Sequence, residues 1–321
     1  MRAVQVVRLD GPSAVEPRDV VEPEPADGQV LVDVAAVGVN FPDVLQSKGL
    51  YQYKPELPFT FGSELAGTVR EAPEGSDLRP GDRVAAFPGI GACAEVVAVD
   101  AEFVFPLPEQ TSFVAGAALP MNYLTAHFTL LVRAGLRKGQ TVLVHGAAGG
   151  VGTAVAQLAA ALGARVIGVV STEAKAEVAR AAGAHETVLA DSFRDAVKEL
   201  TKGAGVDVVV DPVGGDRFTD SLRSLAPLGK LLVIGFAAGD IPTVRVNRLL
   251  LNNIDVVGVG WGGYALGRPG YLRGQWDELL PHLRSGALDP VVSATLPLDS
   301  AAEALRRIDE REVTGKVILE V

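Results

Sequence analysis

The stretch TVLVHGAAGGVGTAVAQLAAALG, residues 141–163, decides the fold. TVLV is a short apolar run with β-branched residues, and VGTAVAQLAAALG has helical spacing. Between them lie Gly146, Gly149 and Gly152, spaced G-x-x-G-x-x-G with an extra Gly150. Small residues let the backbone turn tightly and approach a pyrophosphate, while the helix N-terminus offers unpaired N–H groups to the anion. The bland alternative is that these glycines only let helix and strand pack closely. The neighbouring sequence favours the anion site.

Toward the C-terminus, ARVIGVV (164–170), ETVLA (186–190), VDVVVD (206–211) and KLLVIGF (230–236) read as buried strands. They alternate with EAKAEVARAAGA (173–184), SFRDAVKELTKG (192–203) and RFTDSLRSLAPLG (217–229), which carry helical spacing. That alternation predicts an α/β domain with a doubly wound parallel sheet. Toward the N-terminus the character changes. Strands at Ala3, Val30–Asn40, Glu64–Ala72 and Ala94–Asp100, set between Gly, Pro and Asp turns, predict a β-rich domain. AGAALPMNYLTAHFTLLVRAG (115–135) reads as helix started or interrupted by Pro120. WGGYALGRPGYLRGQW (261–276) reads as a loop leading into a helix, DELLPHLRSGAL (277–288) as helix, and the last 22 residues as a helix and a final strand. This tail is too short for a third core, so it is expected to pack on the first domain.

The 321 residues suit about two domains, and 48% hydrophobic content excludes a disordered chain. No apolar run reaches the ~18 residues of a membrane helix, and the N-terminus lacks a secretory signal core. A cytoplasmic protein is expected. The formal net charge of −10 disfavours nucleic acid as a partner. A single cysteine, Cys93, excludes an intrachain disulfide and a cysteine-rich zinc site. Cys93 reads as a small buried hydrophobe. The four histidines lack metal-ligand spacing, so no metal site is expected. His145, ahead of the glycines, reads as structural.

The second strand ends at Val170 without an acidic residue, where NAD-specific sites place one for the ribose hydroxyls. Ser171 and Lys175 follow and suit a 2′-phosphate, so NADP(H) is the expected cofactor. Glu173 is the opposing signal unless it serves only to cap the helix.

The segments VNFPDVLQSKGLY (39–51), LPFTFGSELAGTV (57–69), AALPMNYLTAHFTL (117–130), HGAAGGVG (145–152), DPVGGDRFTDSL (211–222) and GFAAGDIP (235–242) run in order along nearly the whole chain. Together they resemble the medium-chain dehydrogenase/reductase superfamily, and within it the zinc-independent, zeta-crystallin-like quinone oxidoreductases. The resemblance implies a GroES-like catalytic domain over 1–121 and 265–321, a Rossmann dinucleotide-binding domain over 122–264, and an active site in the cleft between them. Zinc-dependent alcohol dehydrogenases of this superfamily place a Cys where Asn40 stands and a His where Ser63 stands. Their four-cysteine lobe is missing here. Some NADPH-dependent relatives carry a Tyr where this chain has Ala190.

Without a Lewis acid, substrates that delocalise the added charge are favoured: quinones and α,β-unsaturated carbonyls. By resemblance Asn40, Tyr51 and Thr125 are the candidate catalytic residues. Asn40 hydrogen-bonds the acceptor oxygen or the nicotinamide ribose on one reading, and is a strand-end turn residue on the other. Asp43 supports Asn40 or caps the next helix, with capping the stronger reading. Tyr51 is a phenolic donor or stacking ring, or packs an ordinary loop. Asn122 and Thr125 are implied to face the nicotinamide, against a plain helix turn with Tyr123 in the core. The implied cofactor contacts also include Ala148, Gly149, Gly150, Val151, Gly152, Ser171, Lys175, Val213, Gly235, Phe236, Ala237, Gly260 and Trp261, with interface packing the alternative for Trp261.

The expected function is NADPH-dependent, zinc-free hydride transfer to a quinone. The alternatives are an enone or enoyl-thioester reductase, for which Arg245, Arg248 and Arg268 are scattered carrier-binding candidates, and an NADPH-binding sensor or structural protein with little turnover. NNIDVVGVGWG (252–262) is expected to be an edge strand pairing in a homodimer, against an ordinary internal strand.

Overall fold

The computed structural model describes residues 1–321, which form two compact units. One comprises Thr125–Arg268 and Ser285–Asp289; the other comprises Met1–Leu124, Pro269–Arg284 and Pro290–Val321.

The Thr125–Arg268 unit is a six-stranded parallel sheet. Its strands, in spatial order, are Glu186–Leu189, Arg165–Val170, Thr141–His145, Val206–Asp211, Leu225–Val233 and Asp255–Gly258. The expected doubly wound sheet is present, with helices Gly150–Ala161, Glu173–Ala181, Phe193–Leu200 and Phe218–Arg223 connecting its strands. Leu143, Ile167, Val209 and Leu231 fill its core. Two readings are corrected. The SLAPLG end of the expected 217–229 helix is strand from Leu225, because that run pairs in parallel with Val206–Asp211. The expected strand 252–262 is only Asp255–Gly258, preceded by the helix Asn247–Asn252 and followed by the helix Trp261–Ala265. Ser285–Asp289 is held to this unit by Gln157, whose amide donates to Asp289 O and accepts from Asp289 N–H.

The other unit has a seven-stranded sheet whose long central strand, Gln29–Val39, pairs with Glu64–Glu71, Val96–Asp100 and the last strand, Lys316–Glu320. Alternating inward valines (Val30, Val32, Val34) seat it on a core with Phe61, Leu65 and Leu319. Sequence patterning missed the strands Val15–Asp19, Phe59–Thr60, Arg83–Ala86, Val104–Pro106 and Val292–Pro297, which are short or contain proline. The expected helix 277–288 starts earlier and forms Tyr271–Arg284 with Pro281 inside it. Its Trp276 stacks on Phe105 with centroids 4.9 Å apart and donates from Nε1 to Pro106 O. Pro120 opens the helix Pro120–His127, which continues as wide π-type turns over Phe128–Ala134 and stops at Gly135 in the left-handed region. No helix is long and apolar enough to cross a membrane.

Candidate active site and cofactor cradle

In the parallel-sheet unit, Thr141–His145 runs into the glycine loop and Gly149 stands before the helix Gly150–Ala161. A Cβ on Gly152 would collide with the carbonyl of Gly146 and the backbone of Ala147, so the third glycine lets helix and loop touch backbone to backbone. The first-turn N–H groups of Gly150, Val151 and Gly152 precede the intrahelical ladder and remain available to an anion. Ala148 lies in this loop.

Two further loops emerge at the same C-terminal edge of the sheet. Asp211 Oδ1 accepts the N–H groups of Val213 and Gly214, each at 2.9 Å, and so bends the chain at the end of its strand. Ala237 N–H donates to Pro212 O and Ala238 N–H to Val213 O, which latches the Gly235–Ala238 turn onto the first loop. Gly260 and Trp261 follow the exit of Asp255–Gly258, with Trp261 buried. The structure thus collects Gly149–Gly152, Val213, Gly235–Ala237, Gly260 and Trp261 on the ligand-binding edge of a doubly wound sheet.

Ser171 is exposed and Lys175 half-buried, and neither side chain is engaged by another residue. Thr172, rather than Glu173, caps the following helix, accepting from Lys175 N–H. Glu173 is paired with Arg180 at 2.6 Å, so its charge is partly balanced. Beyond the third strand, Ala190 lines a cavity of about 330 Å³ with Phe193, Arg194, Asp216 and Arg217. The residues present therefore fit a dinucleotide: a backbone cradle for the pyrophosphate and an unengaged hydroxyl and ammonium for a 2′-phosphate.

His145 closes the first strand behind the loop. Ser221 Oγ lies 2.8 Å from His145 Nε2 and 3.0 Å from Arg217 O, within hydrogen-bond reach of both. The buried Nδ1 of the ring has no partner. Burial pulls the imidazole down to about 4, against the attraction of Asp211 and with the help of Arg217. This His is a neutral core group, in keeping with the structural reading.

In the β-rich unit, Asn40 sits between the strand Gln29–Val39 and the helix Phe41–Ser47. Its Nδ2 donates to Glu64 Oε1 at 2.8 Å, and more weakly to Ser63 Oγ and Gly38 O. Its Oδ1 accepts from Lys316 Nζ at 2.6 Å, and the same ammonium pairs with Glu64 Oε1. Glu64 Oε2 accepts the Met121 N–H at 2.7 Å. Lys316 is only 4% exposed and Glu64 is fully buried. Both ends of the Asn40 amide are thus committed inside the protein. Gly315, with φ of +60° and a Cβ position blocked by Val291 O, turns the chain so that Lys316 begins its strand at this place.

Asp43 lies at the third position of the Phe41–Ser47 helix. Its Oδ2 accepts the Asn40 N–H at 2.7 Å, so the helix-start reading of Asp43 matches the geometry. It is 1% exposed, and burial pushes it up to about 7, opposed by the Asn40 N–H and the Lys316 charge. Burial, with the charge of Asp43, also raises the phenol of half-buried Tyr51. Cys93 is fully buried and its thiol is raised well above its ordinary value, mainly by burial. Asn122 and Thr125 are buried on the Pro120–His127 helix, and Tyr123 lies in the core.

The structure brings Asn40 together with Ser63, which the sequence had flagged, and with Glu64 and Lys316, which it had not. The only signal for Lys316 was a lysine opening the apolar run KVILEV after a glycine.

Two family models match the chain: the alcohol dehydrogenase GroES-like domain over residues 26–109 and the zinc-binding dehydrogenase domain over residues 150–285. A quinone oxidoreductase-like protein 2 homologue of Nematostella vectensis is 39% identical, covering 99% of this chain and 88% of its own. A quinone oxidoreductase of Pseudomonas aeruginosa is 36% identical, covering 99% of each. Among solved structures, the Escherichia coli quinone oxidoreductase complexed with NADPH superposes with a TM-score of 0.91 at 30% identity, over 100% of both chains.

Proposed function

The chain belongs to the quinone oxidoreductases of the medium-chain dehydrogenase/reductase superfamily, and from that premise we propose that it transfers hydride from NADPH to a quinone without a metal ion. NADPH-dependent oxidoreductase chemistry comes with the family; the quinone and the zinc-free route are our reading.

The observation that carries it is the ammonium of Lys316 set among Asn40, Ser63 and Glu64. These positions offer an amide, a hydroxyl and a carboxylate already neutralised by a buried cation. A divalent ion there would meet like charge and lack soft or imidazole donors. NADPH held at the glycine cradle by its pyrophosphate would supply the hydride from its nicotinamide. The Gly150–Gly152 amides hold the pyrophosphate, and Ser171 and Lys175 select the 2′-phosphate. Val213, Gly235, Phe236, Ala237, Gly260 and Trp261 flank the rest of the cofactor. We assign Asn40 a positioning role, because its amide is spent on Lys316 and Glu64. Tyr51 and Thr125 remain the side chains that meet the acceptor, and Asn122 faces the nicotinamide. A quinone suits such a site because its reduced form spreads the added charge over its own ring system.

The test is initial rates of cofactor oxidation by metal-stripped protein, NADPH against NADH, with a polycyclic quinone, an enone and a crotonyl thioester. Quinone-dependent NADPH oxidation is expected. A preference for the enone or thioester moves the assignment to double-bond reduction, and tight NADPH binding without turnover moves it to a sensor.

We also propose that the protein is a homodimer through the Asp255–Gly258 edge. That strand has a neighbour on one side only. The nearby segments expose Leu228, Val246, Leu250 and Leu251, each more than 70% accessible. An open edge flanked by bare leucines calls for cover. Leu250→Lys together with Leu251→Lys should convert a dimer to a monomer in sedimentation velocity; a monomeric wild type would refute the assignment.

A further inference from the structure

Glu64 is fully buried, and its two carboxylate oxygens have different partners. Oε1 holds the side-chain network: it accepts from Asn40 Nδ2 at 2.8 Å and pairs with the Lys316 ammonium. Oε2 serves the backbone, accepting the Met121 N–H at 2.7 Å from 57 residues further along the chain. Gly38 makes room for this arrangement, since a Cβ there would stand 2.6 Å from Glu64 Oε1 and 2.2 Å from Ala117 O.

Met121 is the first residue of the helix Pro120–His127 with an N–H to give, because proline opens it. Leu119, just before it, is apolar and fully buried, and has no side-chain acceptor for a cap. Its carbonyl takes the Tyr123 N–H at 2.9 Å, so the helical ladder starts there. Glu64 therefore does from a distant strand what a local Ser, Thr, Asp or Asn does at other helix starts, and its charge suits the positive end of the helix dipole. Lys316 balances that buried charge.

Asn122 and Thr125 lie three residues apart on the same helix and share one face. They are 3% and 7% exposed, and no other residue engages the amide or the hydroxyl. Unlike Asp43 Oδ1, these atoms are not sealed from solvent. Two nearly buried polar groups left unspent on one helical face are placed for a ligand. Asn122 directly follows Met121, so the bond that fixes the Met121 N–H also fixes the turn from which Asn122 projects.

We propose that Glu64 is a positioning residue for NADPH: by capping this helix it holds Asn122 in the orientation that receives the nicotinamide. The proposal rests on the reading above that Asn122 faces the nicotinamide. Glu64 acts through the helix, since both of its own oxygens are taken inside the protein.

The test is titration with NADPH and with 2′-phospho-ADP-ribose, which keeps the pyrophosphate and the 2′-phosphate but lacks the nicotinamide. Substitutions are made in pairs so that no lone charge stays buried. In Glu64→Gln/Lys316→Met the side-chain amide keeps an oxygen to accept the Met121 N–H, and its NH2 group can donate to the Asn40 oxygen that Lys316 leaves. Glu64→Leu/Lys316→Met keeps the bulk and removes the acceptor. The Glu64→Leu pair should bind NADPH about tenfold or more weakly and 2′-phospho-ADP-ribose within about twofold of wild type, while the Glu64→Gln pair stays within about threefold for both. Added to Asn122→Ala, the Glu64→Leu pair should cost less than about a further twofold. Unchanged NADPH affinity in the Glu64→Leu pair, equal loss of both ligands, equal loss in the two pairs, or a full further loss on top of Asn122→Ala each overturns the proposal. Wild-type NADPH affinity in Asn122→Ala overturns the nicotinamide reading instead. Should the Glu64→Leu pair not fold, amide exchange in the wild type decides: protection at Met121 matching that at Tyr123 supports the cap, and exchange at the rate of an open amide overturns it.

Discussion

The parallel-sheet unit makes its cradle from backbone, whereas the β-rich unit makes its network from side chains. Gly146, Gly149 and Gly152 lie within seven residues and work because they lack side chains. Asn40, Glu64 and Lys316 are gathered from three places spread across the chain and work because their side chains find one another. A backbone site tolerates changes in polarity but not in bulk. A buried polar network tolerates neither a lost partner nor a misplaced charge. The two regions should therefore fail in different ways.

The sharpest break is Lys316→Met. It leaves Glu64 buried with its Asn40 and Met121 hydrogen bonds but no cation, and breaking such a pair by removing one partner costs about 3–5 kcal/mol. In a Trp261→Phe background, fully buried Trp276 reports the unfolding of the β-rich unit alone. The urea midpoint of its fluorescence should fall steeply, while hydrogen exchange at Val142–Val144 stays as in wild type. Adding Glu64→Gln should recover part of the loss, because a neutral amide is easier to bury unpaired. Equal loss in both units would show that the network does not belong to one of them.

Next in size is a difference in pH dependence, on the order of 3–4 kcal/mol in each unit. Asp43 is raised from 3.8 to about 7, so the folded state binds more protons than the unfolded one between those values. Its contribution is fully present below pH 4 and is lost as the pH rises to 7. His145 is lowered from 6.5 to about 4, so there the unfolded state binds more protons. Its contribution is present above pH 6.5 and is lost as the pH falls to 4. Across pH 4.5–6.5 the Trp276 transition should weaken with rising pH while exchange protection in Val142–Val144 strengthens. Glu303, pulled down to about 2 by Arg306 and Arg307, acts only below its ordinary value of 4.5 and leaves this window clear. Asp43→Asn should flatten the first trend alone; parallel slopes in the two units would break the comparison.

The same contrast explains what could be read from the chain. The glycine loop was legible because its chemistry is local: three glycines, a strand before and a helix after, all within 141–163. The parallel strands were legible because valine-rich runs alternate with helices of different period. The short strands Arg83–Ala86 and Val104–Pro106 were not, since four and three residues give no period to detect. Lys316 was illegible for a deeper reason. A lone lysine in a strand usually marks a solvated edge, and only the pairing of Lys316–Glu320 with Gln29–Val39 turns it inward, 276 residues from Asn40. Asp43 was read as a helix-start residue, which it is, but its unpartnered oxygen depends on burial that no local pattern encodes.

The cradle can be tested by bulk. Gly152→Ala forces a methyl group into the Gly146 carbonyl, a backbone atom that cannot step aside as a flexible side chain would. The strain of about 1–3 kcal/mol should weaken NADPH binding roughly 5- to 100-fold in a fluorescence titration. The Trp276 transition should not move, since the β-rich unit contains no part of this loop.

The smallest expected effect concerns which dinucleotide the cradle prefers. Ser171 and Lys175 have no protein partner, so removing them costs the fold little and any change should appear in cofactor choice. Lys175→Ala removes a charge-assisted contact to the 2′-phosphate in a partly solvated place, worth about 1–2 kcal/mol. The ratio of kcat/KM for NADPH over NADH should fall roughly 5- to 30-fold, through KM for NADPH and with NADH unchanged. Raising salt should shrink the wild-type preference in the same direction, because the contact is ionic and near solvent. Ala190→Tyr should push the preference the other way by a few-fold, since a phenol at the rim of that cavity adds one hydroxyl donor for the phosphate. A Lys175→Ala protein that loses NADH and NADPH equally would mean that the ammonium stabilises the helix start rather than reading the phosphate. That outcome conflicts with its position, because a cation in the first turn opposes the helix dipole.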